Sequence, residues 1–420
     1  MAKFDLEKDG MVLGHSSGLF VLFFTEMWER FSYYGMRAIL VLFLISSIGI
    51  GGWDWTSKEA LSLYGTYTAM VYLTPILGGW LADKYIGYRK AVIWGAIIMT
   101  LGHLSMAMEF AHIFMYLGIA LLIIGNGFFK PNMTSIISHM YKDTPEKKDG
   151  AYTIFYMGIN IGGAISPLLC GWLGATYGWH YGFGLAGIGM LTGLLFFWSG
   201  IKKNVFGNRG LPPSQEIYEK KILGIPQKTL IPILCFLSAP LIAFLLYSYK
   251  SLGEEGTFFE DTNIVNLLFY IIGILVIVYM GNIMIKATTD ERKKLFMAVL
   301  ITFFMTIFWG FHELHGSVIT LFAARNVNLT LINASQTNAL NSIFIVLLSI
   351  PISIMWTYLA KKKINPRTPY KFGFGLVLAG LSFYILSLSG GSADENGMVP
   401  FSYLLLLYFL ISVGELFMSP

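Results

Sequence analysis

Twelve apolar runs divide this chain, and they constrain its fold more than any single motif does. They fall at about residues 18–48, 58–81, 91–109, 112–139, 151–175, 181–200, 229–249, 263–286, 294–323, 335–360, 371–389 and 400–420. Most are long enough to cross ~30 Å of hydrocarbon as helices. Charged residues make up 13% of the chain, against about 25% in soluble domains. The expected class is therefore an all-α polytopic membrane protein. The N-terminal residues lack a basic segment leading straight into an apolar core. The first apolar run is too long for a signal sequence and is expected to stay as a span. Cys170 and Cys235 both sit in apolar segments, so neither a disulfide nor a metal site is expected. The net charge of +5 says nothing about nucleic acid, because its distribution has a simpler cause.

That cause is orientation. With the N-terminus placed in the cytoplasm, 23 of the 29 lysines and arginines fall in cytoplasmic connections. Lys58, Lys250 and Arg325 fall outside, and Arg30, Arg37 and Lys130 lie within spans. The positive-inside rule reads this asymmetry as a cytoplasmic N-terminus.

The longest basic connection, 201–228, comes after six spans. It resembles the central linker of a major-facilitator transporter, a fold of two pseudo-symmetric helical bundles. The segments implied are a cytoplasmic N-terminus (1–17), a six-helix bundle (18–200), the linker (201–228), two extra helices (229–286) and a C-terminal bundle (294–420). The extra helices carry few polar residues and are expected to be peripheral. Between the second and third spans, Gly78 to Lys90 reads GGWLADKYIGYRK. Its glycines permit close helix approach, Asp83 can cap a helix start, and Arg89 and Lys90 anchor a tight cytoplasmic turn.

Inside the first run lies TEMWERFSYYGMR, residues 25–37. At roughly 100° per residue, Glu26, Glu29, Arg30, Tyr33 and Arg37 share one stripe. Trp28, Phe31, Gly35, Ala38 and Ile39 occupy the opposite face. A charge at the bilayer centre costs at least about 3 kcal/mol, so four on one face must look into protein or water. The stripe outlines a solute pathway.

Counting ~1.5 Å of rise per residue along each span gives depths. Arg37 and Glu313 come out together in the outer half, and Lys130 and Glu415 together in the inner half. Each pair takes one helix from each bundle. Such pairs act either as alternating gates above and below a central site or as fixed packing contacts; the desolvation cost of buried ion pairs favours the first. Glu26 and Arg30, at i and i+4, can satisfy each other, which leaves Glu29 for Lys130. A carboxylate with a movable cationic neighbour can take up and release a proton. Tyr64, Tyr67 and Tyr72 on the second span serve as packing or as pocket wall. Asn160 and Asn341 face the cavity or bridge helices. His312 and His315 flank Glu313 and are read as local to it.

These residues resemble a family. Glu26, Glu29, Arg30, Phe31, Tyr33, Tyr34 and Gly35 match the ExxERFxYYG motif of the proton-dependent oligopeptide transporters, within the major facilitator superfamily. GNGFFKPN (125–132), FYMGINIGG (155–163) and GELFMSP (414–420) follow in family order. The extra helices resemble those of the prokaryotic branch. The resemblance implies symport of di- and tripeptides with protons into the cell. It implies that Glu26, Glu29, Arg30, Lys130 and Glu313 couple the proton. Arg30, Arg37 and Lys130 would attract the peptide carboxylate, and Glu415 would hold the amino group with Asn160 and Asn341. Tyr33, Tyr34, Tyr72 and Trp309 would line side-chain pockets, with Ser419 beside Glu415. No cofactor is implied, since the proton gradient drives the cycle, and the expected unit is a monomer in the cell membrane.

The chain departs from the family at Leu314, Asn338 and Ser342, which bears on substrate preference. It also stops at Pro420, where family members continue through two more helices, so four of the six C-terminal helices are expected and the sequence is read as truncated. A second reading on the same fold is transport of nitrate or another small anion. Pure anion selectivity would leave Glu415 without a purpose. A membrane enzyme or receptor is disfavoured, because no nucleotide loop, zinc-ligand cluster or nucleophile–base arrangement stands out.

Overall fold

The structure, a computed structural model, describes residues 11–108, 111–212, 214, 219–222, 224–247 and 264–418. The chain forms two compact units, Met1–Tyr247 and Ser248–Pro420. Among the described residues nine helices are long and apolar enough to cross a membrane. The first three helices fall outside that set, and the first of them carries the four charges.

In the first unit α1 (Ser17–Ile45) starts where the Ser16 side chain accepts from the Gly18 amide at 3.3 Å. A capping box of Thr56 and Glu59 starts α2 (Ser57–Leu81), satisfying amides that a helix start otherwise leaves unpaired. Then come α3 (Tyr88–Met106), α4 (His112–Met140), α5 (Lys148–Tyr177) and α6 (Trp179–Lys202). The α1 face opposite the charges packs on α5 and α6 as the stripe requires. A Cβ at Gly189 would press on Phe31, one at Gly193 on Trp28, and one at Gly35 on Cys170 of α5. The described part of the apolar run 229–249 is two short helices, α7 (Gln227–Leu237) and α8 (Ala239–Tyr247), separated at Ser238. The second of these packs on α4, with Tyr247 edge-on to Tyr116.

The GGWLADKYIGYRK stretch acts otherwise than the sequence suggests. Asp83 does not cap α3. It lies in a π-helical turn, Ala82–Ile86, that extends α2, and Gly87 holds the N-cap position of α3 without a side-chain cap. Gly87 has φ +76°, and a Cβ there would lie 2.6 Å from the Pro212 nitrogen. Both facts require glycine. The neighbouring Arg89 is buried and donates to the carbonyls of Arg209 and Gly207, while its own amide donates to Gly210 at 3.1 Å. Its guanidinium also lies over the Phe206 ring. Arg89 therefore clasps the start of the linker to the foot of α3, whereas Asp83 and Lys90 are exposed. Arg89→Ala is expected to lower the melting temperature of the purified protein. Each charge-assisted hydrogen bond lost is worth about 1.5–3 kcal/mol, so an unchanged melting curve would refute the clasp.

The second unit contains α9 (Ile264–Lys286), α10 (Thr289–His312), α11 (Val318–Asn326), α12 (Ala339–Lys361), α13 (Thr368–Ser387) and α14 (Phe401–Met418). A capping box of Thr288 and Glu291 starts α10 five residues ahead of the expected Lys294. The expected single helix 294–323 is broken. Glu313–Gly316 form a 3₁₀ turn, and Ser317 leaves helical geometry at φ −134°, ψ −96°. Polar side chains make good the backbone groups this frees: Thr320 donates to the His315 carbonyl at 2.6 Å, and Asn338 donates to the Thr320 hydroxyl at 2.9 Å. Irregular backbone inside a membrane protein persists where such partners are supplied. At the far end of this broken helix, Val327–Asn328 pairs in parallel with Val399–Pro400, at the head of α14. Phe308, Ala379, Ile411 and Met418 form the core of the unit.

Candidate functional site

In the first unit the site is built on the polar stripe of α1. Glu26, Glu29, Arg30 and Arg37 are all buried, Glu29 completely. Arg30 holds both carboxylates. Its Nε pairs with Glu29 Oε2 and lies 3.2 Å from Glu26 Oε1, and its Nη2 donates to Glu29 Oε1 at 2.8 Å. Arg30 thus reaches Glu29 as well as Glu26, where the spacing had suggested Glu26 alone. The guanidinium is a planar fork with donors enough for two acids, and Asn126 of α4 adds a donor at 3.5 Å from Glu29 Oε1. The cluster is fixed from behind by α5. A Cβ at Gly162, within FYMGINIGG, would lie 3.0 Å from the Phe31 amide and 3.1 Å from Arg30 Cβ.

Arg30, Arg37 and Lys130 also rest on aromatic rings. Arg30 lies over Tyr33 at 5.1 Å, and Arg37 lies over Tyr34 at 5.9 Å and over Tyr64 at 5.8 Å while also bonding the Tyr64 hydroxyl. Lys130 of α4 lies 4.7 Å from the Tyr72 ring of α2. The face of each ring attracts the cation above it. Tyr33 is buried, Tyr72 half-exposed. Asn160 is buried, and its amide donates to the Tyr156 carbonyl one turn earlier on its own helix at 3.0 Å.

In the second unit the centre is Glu415, buried on α14. Its Oε2 accepts from Asn341 of α12 at 3.1 Å and from His312 Nε2 at 3.0 Å. Ser412, one turn before Glu415, is bonded to Asn341 at 3.0 Å. Trp309 stands edge-on to His312 with ring centres 4.9 Å apart. Glu313 occupies the first position of the 3₁₀ turn. Ser419 lies outside the described residues.

The His312–Glu415 contact corrects the depth estimate that set Glu313 in an outer level and Glu415 in an inner one. Glu313 lies fifteen residues before Asn328, and Glu415 fifteen residues after Pro400, and those two residues are bridge partners. The two acids are therefore level within this unit. Counting Glu313 from the cytoplasmic end failed because the helix starts at Thr289 and runs, with its break, to Asn326, longer than a bilayer requires. His312 is the residue that sequence reasoning undervalued. It follows Trp309 by three positions, which puts both on one helix face. Among the described residues no group of three acidic, histidine or cysteine side chains is placed to hold a metal ion.

Comparison with known proteins gives a consistent result. The family model PTR2, described as the POT family, matches residues 89–420. A di-/tripeptide transporter of Lactococcus lactis subsp. cremoris is 35% identical over 421 residues, which covers 97% of this chain and 82% of that protein. An uncharacterised transporter, YclF of Bacillus subtilis (strain 168), is 34% identical over 97% of this chain and 80% of its own length. Among solved structures, a peptide transporter POT in complex with sulfate aligns with a TM-score of 0.80 at 32% identity, covering 100% of this chain and 85% of that one.

Proposed function

This chain belongs to the POT family, and we propose that it imports di- and tripeptides together with protons by alternating access. The observation that carries the peptide reading is Glu415. A buried carboxylate bonded to Asn341 and His312 offers an acceptor for a substrate ammonium group, which a nitrate carrier does not need. Relatives at 33% to 35% identity are di-/tripeptide transporters, which supports the same reading. A zwitterion of variable length needs opposite charges at its ends and adaptable walls between.

In this proposal Glu26, Glu29 and Arg30 handle the proton, with Lys130 and Glu313 as further members of the relay. Arg30, Arg37 and Lys130 attract the peptide carboxylate. Glu415 takes the amino group, with Asn341 orienting it and Asn160 and Ser419 nearby in function. Tyr33, Tyr34, Tyr72 and Trp309 form the walls for peptide side chains. Arg37, Lys130, Glu313 and Glu415 are proposed to take part in gating, without the two-level pairing that the depth count suggested. The cycle needs no cofactor. The protein works as a monomer in the cell membrane with its N-terminus in the cytoplasm, an orientation the distribution of lysine and arginine supports.

Counterflow in proteoliposomes tests the substrate class. Unlabelled dialanine inside the vesicles is expected to draw labelled dialanine inward, while internal nitrate does not. Counterflow driven by nitrate and untouched by dialanine would replace the peptide reading with the anion one.

A further inference from the structure

His103 lies in the last turn of α3 and is completely buried, and neither of its ring nitrogens has a hydrogen-bond partner among the described residues. A neutral imidazole carries one donor and one acceptor, and leaving buried polar groups unpaired is costly. The ring borders an enclosed cavity between α1, α2, α3 and α4, to which Tyr33, Tyr67 and Asn126 also contribute. Its free volume, about 180 Å³, is spread thinly between side chains and leaves no room for a water molecule. A partner for His103 must therefore come from the cavity walls.

Asn126 is the wall residue whose needs match. It is buried, and its Nδ2 faces Glu29 Oε1 at 3.5 Å. A carboxylate paired with an arginine only accepts, which assigns the amide nitrogen to that side and turns the amide oxygen away from it. That oxygen, Oδ1, is buried and has no hydrogen-bond partner among the described residues. One cavity thus holds a donor lacking an acceptor and an acceptor lacking a donor. The contact to Glu29 is itself longer than an ordinary N–H···O bond, so the amide sits loosely on the acid.

We propose that His103 is a positioning residue for Glu29: its ring N–H turns to Asn126 Oδ1 and so steadies the Asn126 amide on the carboxylate. This rests on Glu29 belonging to the proton-handling cluster. The completed chain runs from the His103 N–H to the Asn126 oxygen, and from the Asn126 N–H to Glu29, with every donor pointing toward the acid. Hydrogen bonds in such a chain polarise and strengthen one another. The backbone has little room to supply the movement. A Cβ at Gly102 would lie 2.9 Å from the Gly118 carbonyl oxygen, and one at Gly125 would lie 2.4 Å from Met99 Cγ, so α3 and α4 are already in close contact. From the other side α6 closes on the histidine, where a Cβ at Gly187 would lie 3.1 Å from His103 Cβ. Rotation of the two side chains remains, and both border the space into which they would turn.

The test compares two assays of the purified protein in proteoliposomes: dialanine uptake driven by a proton gradient, and dialanine counterflow without one. His103→Phe keeps an aromatic ring without the N–H. It should lower gradient-driven uptake by about fivefold to tenfold, the scale of one hydrogen bond, and leave counterflow within about twofold. His103→Gln, which restores an N–H donor, should recover most of the loss. In an Asn126→Ala background His103→Phe should change nothing further, because the group through which it acts is gone. Undiminished gradient-driven uptake in His103→Phe, equal losses in the two assays, or the same loss with and without Asn126 would each overturn the inference. Glu29→Gln separates it from the underlying reading. If that variant keeps gradient-driven uptake, the proton-handling role of the cluster fails whatever His103 does. If it abolishes that uptake and His103→Phe is silent, only the His103 contact fails.

Discussion

Glu29→Gln should abolish peptide uptake driven by a proton gradient in proteoliposomes while peptide exchange without a gradient continues. Glu29 is completely buried, and both its oxygens accept from Arg30. The amide that replaces it can accept through one oxygen only and cannot take up a proton. Removing one partner from a buried ion pair typically costs about 3–5 kcal/mol, and a cost of that size, carried into the transport cycle, lowers uptake by at least about a hundredfold. Glu26→Gln should have the same direction with a smaller effect, because Glu26 makes one contact with the guanidinium, at 3.2 Å, where Glu29 makes two. Gradient-driven uptake that is unchanged in both variants would remove this cluster from proton coupling.

Glu415→Ala should weaken binding of dialanine by about 30-fold or more, since truncating one member of a buried hydrogen-bonded charge pair costs about 2–5 kcal/mol. N-acetylated dialanine should lose no more than a few-fold. The asymmetry between the two ligands is the result that matters. Alanine also strips a partner from Asn341 and His312, so some general weakening is expected, but that part falls on both peptides alike.

The stripe on α1 was legible because one helix fixes its own angular order, and Glu26, Glu29 and Arg30 meet as their spacing requires. The identity of their partners was less so. Glu29 and Arg30 are adjacent in sequence, and pairing rules for helices consider i+3 and i+4 neighbours. They do not anticipate a guanidinium that folds back on its predecessor. Depth was the weakest inference. It assumed that each apolar run begins at one membrane face, and α10 does not. Thr288 and Glu291, at capping-box spacing, are the sequence signal for its true start, and the Val327–Val399 bridge supplied the ruler that sequence lacked. The break at Glu313–Gly316 was hidden because Thr320 and Asn338, the side chains that sustain it, are remote in sequence from the turn. Asp83 misled for a related reason. The turn before α3 is governed by a glycine at positive φ and by a linker 120 residues further on, which Arg89 reaches at Arg209.

The sharing of Arg30 between Glu26 and Glu29 has an electrical consequence. Two carboxylates and one guanidinium sum to a single negative charge, and one proton brings the cluster to neutrality. A zwitterionic peptide adds nothing to that sum. A cluster that reorients empty with its negative charge, and loaded without it, moves one elementary charge per peptide, worth about 2.3 kcal/mol for each 100 mV across the membrane. The voltage could then do work on the return of the unloaded cluster, and the current carried per peptide would count the protons this cluster takes.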